Sequence, residues 1–238
     1  MQLELLYSPW RATRVFLIVL GALVAMHLLV AFCHLFLHWP VNALTILFDL
    51  DAENNAPTFY NCFLFFVGAF FFYLAWRIEE RRPRWPWYLM AVVFVFLGFD
   101  EGAQVHEQFM LVTLRMMDWK FGEMGMLYYA WYIPYGLATL ALALLLVRWL
   151  FRLDPRTRWG MVVGGVIYVT GAVFFESISG DIAESIGDVD LGMNGAYVTV
   201  VTFEETFEML GLIICNHFVL ERLARAQLEL RFRPDTDR

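Results

Sequence analysis

"WPWYLMAVVFVFLGFDEGAQVHEQF", residues 85–109, opens with fifteen uncharged residues and then places Asp100, Glu101, His106 and Glu107 on their continuation. An apolar run of this kind is the material of a membrane-spanning helix. The chain repeats the pattern. Six stretches of suitable length and hydropathy lie at about 14–38, 57–76, 86–113, 126–150, 159–180 and 194–219. Across 238 residues the composition is 60% hydrophobic and 18% aromatic, more apolar surface than a soluble globule of this size can hide. The expectation is an all-α, polytopic integral membrane protein: one transmembrane domain over 1–238, built as a six-helix bundle, with a basic tail at 220–238. The first stretch is too long for a signal peptide and has no small-residue cleavage site, so it reads as a retained span.

Arginine sets the orientation. Arg11 and Arg14 precede the first stretch, Arg77, Arg81, Arg82 and Arg84 join the second to the third, and Arg148, Arg152, Arg156 and Arg158 join the fourth to the fifth. Arg222, Arg225, Arg231, Arg233 and Arg238 follow the sixth, leaving Arg115 and Lys120 for the opposite side. The positive-inside rule then puts both termini in the cytoplasm and loops 39–56, 114–125 and 181–193 outside. The membrane expected is a bacterial inner (plasma) membrane. Carboxylates do the reverse: 16 of the 24 fall in outer loops or outer halves of spans. The rule does not demand that asymmetry, because acidic residues contribute little to topology.

At about 1.5 Å per residue, Asp100 and Glu101 lie roughly 20 Å along the third span, in its outer half. If that span is one straight helix, Asp100, Gln104 and Glu107 share a stripe, and His106 points elsewhere. The fifth span ends in "FFESISGDIAESIGD", where Glu176, Gly180 and Glu184 recur at i, i+4, i+8. The sixth descends through "VTFEETFEMLG", with Glu204 and Glu208 four residues apart and Glu205 beside them. The first span carries His27, His34 and His38, three of the five histidines, within about 40° of one another on a helix. Spans 1, 3, 5 and 6 are therefore expected to form a polar-cored bundle, with spans 2 and 4 more peripheral.

Each feature has a plainer reading. Loop acids such as Asp49, Asp51, Glu53, Asp188 and Asp190 read as solvated. Cys33, Cys62 and Cys215 fall in spans without a CxxC pair and read as packing thiols. His38 and His106 suit interfacial capping as well as ligation. Asp100, Glu101, Glu204 and Glu208 differ, because a charge inside the layer costs at least about 2.5–3.5 kcal/mol and so faces the bundle interior with partners. Too few outer cations exist to pair with them.

Carboxylates from antiparallel helices, with histidines, point to a site for iron, manganese, copper or zinc. The ligand pool is Asp100, Glu101, Glu107, Glu176, Glu204 and Glu208, with His34 and His38 as nitrogens. His106, Gln104, Glu205, Glu184 and His27 stand behind them. The inventory resembles the ferritin-like di-iron plan, but no histidine follows Glu101, Glu176, Glu204 or Glu208 at i+3, so no family is assigned. Such a site, open to the outer leaflet, suits oxidation or hydrolysis of a lipid. A cation or proton transporter is the alternative, and a non-catalytic subunit docking membrane-complex partners is a third. Haem fits poorly, since three of the five histidines share one helix. There is no P-loop or GxSxG, and the arginine-rich tail is explained by topology rather than nucleic acid.

Cysteines introduced near Glu53 or Asp188 are expected to react with an impermeant reagent applied from outside, and those near Arg82 or Arg156 are not. The opposite labelling pattern would invert the orientation.

Overall fold

The computed structural model describes residues 8–39, 42–117, 124–187 and 191–226. It is all-helical, with no strand among them. In chain order the helices are α1 (Pro9–Leu37), α2 (Asn42–Phe48), α3 (Ala56–Ile78), α4 (Trp85–Ala103), α5 (Val105–Met117), α6 (Tyr132–Leu150), α7 (Pro155–Val169), α8 (Glu176–Ile186) and α9 (Gly195–Arg225). A π-helical turn, Thr170–Phe175, joins α7 to α8, so that 155–186 is one helical rod. Asp188, Asp190, Lys120 and the tail arginines Arg231, Arg233 and Arg238 lie outside the described residues.

Local chemistry sets the helix starts. Asn55 caps α3, its side chain accepting from the Thr58 N–H at 3.1 Å, and Asp154 caps α7 by accepting from Thr157 N–H at 3.1 Å. Asn194 accepts from both Ala196 and Tyr197 at the head of α9. Proline occupies the first or second position of α1, α3, α4 and α7, where its missing N–H costs nothing.

Five helical segments are long and apolar enough to cross a membrane: 9–37, 56–78, 85–103, 132–150 and the rod 155–186. Their outward faces carry exposed Ile18, Phe36, Phe59, Leu144 and Val166, a surface that suits lipid rather than water. Helix α9, although 31 residues long, is not among the five. It carries Glu204, Glu205 and Glu208 and sits at the centre, with α1, α3, α7, the π turn and α8 packed around it.

The expected division of the bundle is corrected at two helices, α3 and α4. Helix α3 is not peripheral: it packs on both α4 and α9, and α4 lies behind it. The reason is on its inner face. Asn61 is fully buried there, and a Cβ at Gly68 would stand 2.5 Å from Asn216 Oδ1 of α9 and 2.6 Å from the Phe94 ring of α4. Only hydrogen at Gly68 lets those three helices meet. The expectation for α6 agrees with the structure, since it buries only Tyr132, Leu146 and Trp149.

Helices α7 and α9 touch backbone to backbone. A Cβ on Gly211 would lie 2.5 Å from Tyr168 N and 2.6 Å from Gly164 O. Small residues at such crossings let membrane helices approach closely. At the far end, Arg222 of α9 gathers four helix ends. It donates to Glu79 at 2.6 Å and to Asp154 at 3.1 Å, and it stacks over Trp87 at 5.1 Å. Trp87 in turn meets Trp149 edge-to-face, with centroids 4.8 Å apart.

Two stability experiments follow from this packing. Gly211→Ala is expected to be less stable than Gly165→Ala, which enters open space, by about 1–3 kcal/mol in thermal unfolding of the detergent-solubilised protein. Equal stabilities would rule out the close crossing. Partial burial pushes Asp154 up, but the Thr157 N–H and hydroxyl and the Arg225 guanidinium outweigh it and hold the carboxyl at about 2. A depressed folded-state pKa stabilises above the unfolded value near 3.8, and that contribution is lost as pH falls through about 2. Asp154→Asn is therefore expected to lower the melting temperature near neutral pH, and the gap to wild type should close below about pH 2.

Candidate functional site

The opening stretch does not continue as one helix. Helix α4 stops at Ala103 because Gln104 takes a left-handed conformation, φ 53° and ψ 40°, its N–H bonded to the Asp100 carbonyl. The chain restarts as α5, so the expected straight stripe of Asp100, Gln104 and Glu107 does not form. Glu107 is exposed, within 3.4 Å of the Gln104 side-chain amide. The break instead turns His106 back, its Nδ1 3.3 Å from Asp100 Oδ2. Asp100, 5% exposed, accepts a second bond at 2.6 Å from the Tyr135 hydroxyl of α6.

From this pair the polar contacts run across the bundle. The His106 ring lies 5.0 Å from that of Trp131, whose indole N–H donates to Glu176 Oε1 at 2.6 Å. Ser179 of α8 donates to Glu204 Oε2 at 2.9 Å. Asn61 of α3 donates from Nδ2 to Glu101 Oε1 at 2.9 Å. Buried Glu208 lies within electrostatic range of Glu101, Glu204 and Glu176, and Glu205 within range of Glu208, Glu101 and Glu53. The acids of α4, α8 and α9 therefore lie within electrostatic range of one another, with Glu53 from the loop before α3 also in range. Partial burial pushes the Glu53 carboxyl up, while nearby His106 draws it down in part. Glu53 is not the simply solvated acid that its loop position suggests.

The π turn sits against this cluster. A Cβ on Gly171 would lie 2.6 Å from Glu204 O and 2.8 Å from Glu208 Cγ. Its extra residue re-phases α8 relative to α7, which decides where Glu176 points. Turns of this type are frequent at functional sites.

Other candidates take different partners. Glu184 binds the backbone N–H of Met124 at 3.0 Å and that of Gly125, holding the short turn before α6. Buried His27 accepts from Leu50 N–H at 3.0 Å, lies 3.3 Å from Asp49 and is bonded to Thr202 of α9. His34 is bonded to Thr45 of α2 at 3.2 Å, and exposed His38 ends α1 in a left-handed conformation. Among the described residues neither His34 nor His38 pairs with a carboxylate, and the nitrogen brought to the cluster is that of His106. Nor do the described residues contain a group of three or more His, Cys, Asp or Glu side chains arranged to hold a metal ion.

The partners that the sequence did not single out are Trp131, Tyr135 and Ser179. All three are neutral donors, a type common at membrane interfaces and helix contacts, so spacing carries no signal for them. Asn61 did carry one, as the single amide within the apolar run 57–78.

The fold and cluster define an all-helical protein with several membrane-compatible helices and a polar interior at one end. The chain belongs to the family described as Domain of unknown function (DUF8692), whose model matches residues 9–223. No curated protein and no solved structure matches it.

The break at Gln104 makes a prediction of sign. Glycine tolerates left-handed backbone at no steric cost, whereas it weakens a continuous helix by about 1 kcal/mol. Gln104→Gly is expected to leave the unfolding temperature unchanged or raised, and Gln104→Val to lower stability by about 1–2 kcal/mol. Destabilisation by glycine would mean that α4 and α5 are one helix.

Proposed function

We propose that this is a six-span protein of a bacterial inner membrane, both termini cytoplasmic, whose carboxylate cluster takes up and releases cations on the outer side, protons foremost. The single observation that carries this reading is at Asn61. Its Oδ1 is buried with no donor among the described protein groups, while its Nδ2 is committed to Glu101. A buried acceptor of this kind calls for a donor, and a neighbouring acid that carries a proton would supply one. The partners of the other acids support it. Glu101, Glu176 and Glu204 bond to an amide, an indole and a hydroxyl, and among the described residues every arginine ion pair lies at the opposite end. Buried carboxylates without cationic partners are neutralised by bound protons or a bound metal ion. The Asp100–His106 pair stands where α4, α5 and α6 meet and would pass protons between the cluster and the exterior.

A divalent metal ion is the second reading, drawn from Glu101, Glu176 and Glu204 lying within electrostatic range of Glu208 on three helical segments. Iron, manganese, copper or zinc would then draw on those oxygens and on His106, and lipid oxidation or hydrolysis would be the chemistry. Infrared spectroscopy and elemental analysis of one purified sample separate the two. Under the proton reading the sample shows a protonated-carboxyl band that Glu208→Gln removes, with no stoichiometric metal. Stoichiometric metal that disappears in Asp100→Asn or Glu204→Gln would overturn it in favour of the metal. A folded protein with neither signal would leave the role of a non-catalytic subunit.

A further inference from the structure

The arginine-rich end carries a second polar feature, separate from the carboxylate cluster. The turn between α3 and α4 encloses an open cleft of about 820 Å³ walled by Arg77, Arg81, Arg82 and Arg84 together with Glu79 and Glu80. Four guanidinium groups face two carboxylates, and one of those two is already engaged. Glu79 is turned inward, where it receives Arg222 at 2.6 Å and the Trp87 indole N–H at 3.3 Å. Among the described residues none of the four arginines forms an ion pair. Arg77 bonds to the Tyr73 hydroxyl at 3.0 Å, and Arg84 lies over the Trp76 ring at 5.2 Å. In the neighbouring turn Arg156 pairs with Glu221 and Arg158 lies over the Phe151 and Trp159 rings, while Arg222 and Arg225 of α9 pair with Asp154. Positive-inside bias explains arginines at this end, but not why Glu79 is withdrawn from them while aromatic rings orient two.

The depth of the cleft indicates what it meets. Tyr73, Trp85 and Tyr88 are exposed around it, and Trp76 packs against Tyr88 with ring centroids 5.1 Å apart. Tyrosine and tryptophan in this arrangement mark the headgroup level of a bilayer. A cationic cleft at that level, rimmed by amphipathic rings and bordered by apolar helix surface, matches a phosphate with acyl chains attached. Basic pockets between helices at such a level bind anionic headgroups. Arginine's planar fork suits phosphate oxygens better than a point charge does.

We propose that the cleft between α3 and α4 binds the phosphate of an anionic phospholipid headgroup, with Arg81 and Arg82 supplying the contacts and Arg77 and Arg84 held beside them by Tyr73 and Trp76. The site is independent of the carboxylate cluster and of what that cluster binds.

Native mass spectrometry of the detergent-solubilised full chain, titrated with phosphatidylglycerol or phosphatidylcholine, tests it. Phosphatidylglycerol is expected to bind the wild type more tightly than phosphatidylcholine. Arg81→Gln and Arg82→Gln should each weaken it about fivefold, the factor typical of one basic residue near an anionic surface. Arg152→Gln, in the other basic turn, should change binding less than twofold. Inorganic phosphate added at millimolar concentration should not displace the lipid. Equal affinity for the two lipids would overturn the proposal outright, and an equal loss in Arg152→Gln would overturn it in favour of diffuse charge. Displacement by inorganic phosphate would overturn the lipid in favour of a soluble anion. Circular dichroism of each variant separates loss of binding from loss of fold.

Discussion

The architecture depends on the cost of placing the acids of α9 in apolar surroundings. Glu204, Glu205 and Glu208 lie within one and a half turns of a helix that is packed round by α1, α3, α7 and α8. Turned towards lipid, each would cost at least about 2.5–3.5 kcal/mol. Enclosing the helix removes that exposure, so α1, α3, the rod 155–186 and the turns attached to them close around α9. Glycine contacts at Gly68, Gly164, Gly171 and Gly211 bring the surrounding helices close enough to do this. The same enclosure leaves α6 outside, free to present leucines outward.

Enclosure brings the acids together and raises the problem of their charge. The structure meets it with two departures from regular helix, both at the acid-bearing end. The left-handed Gln104 folds His106 back onto Asp100, and the π turn at 170–175 sets Glu176 against Trp131 and its neighbour Ser179 against Glu204. A uniform helix at either place would send those side chains elsewhere.

The opposite end is built on different chemistry. Arg222 ties α9 to the ends of α3 and α7 and stacks on Trp87 of α4, a set of charge-assisted bonds partly shielded from water. Carboxylates there are matched by guanidinium groups, whereas among the described residues those of the other end meet only histidine, amide, indole and hydroxyl groups. One bundle thus holds an end whose carboxylates meet guanidinium groups and an end whose carboxylates meet histidine and neutral donors.

Helical class, the presence of long apolar stretches, the segregation of arginine and the acids set along those stretches are legible in the chain, because hydropathy and charge act over windows of about twenty residues and need no partner. Of the six spans expected, the structure has five segments long and apolar enough to cross a membrane. That Glu101, Glu204 and Glu208 turn toward other helices follows from the energetics of burial. Tertiary structure alone decided which face met which. It moved α3 into the core through Asn61 and Gly68 and gave Glu184 to a backbone turn. The histidine stripe of α1 went to Asp49, Thr45 and Thr202 rather than to the acids. It also turned His106 back onto Asp100, and the physical reason is the single residue Gln104. Periodicity arguments assume an unbroken helix, and one left-handed residue resets the phase of every side chain after it.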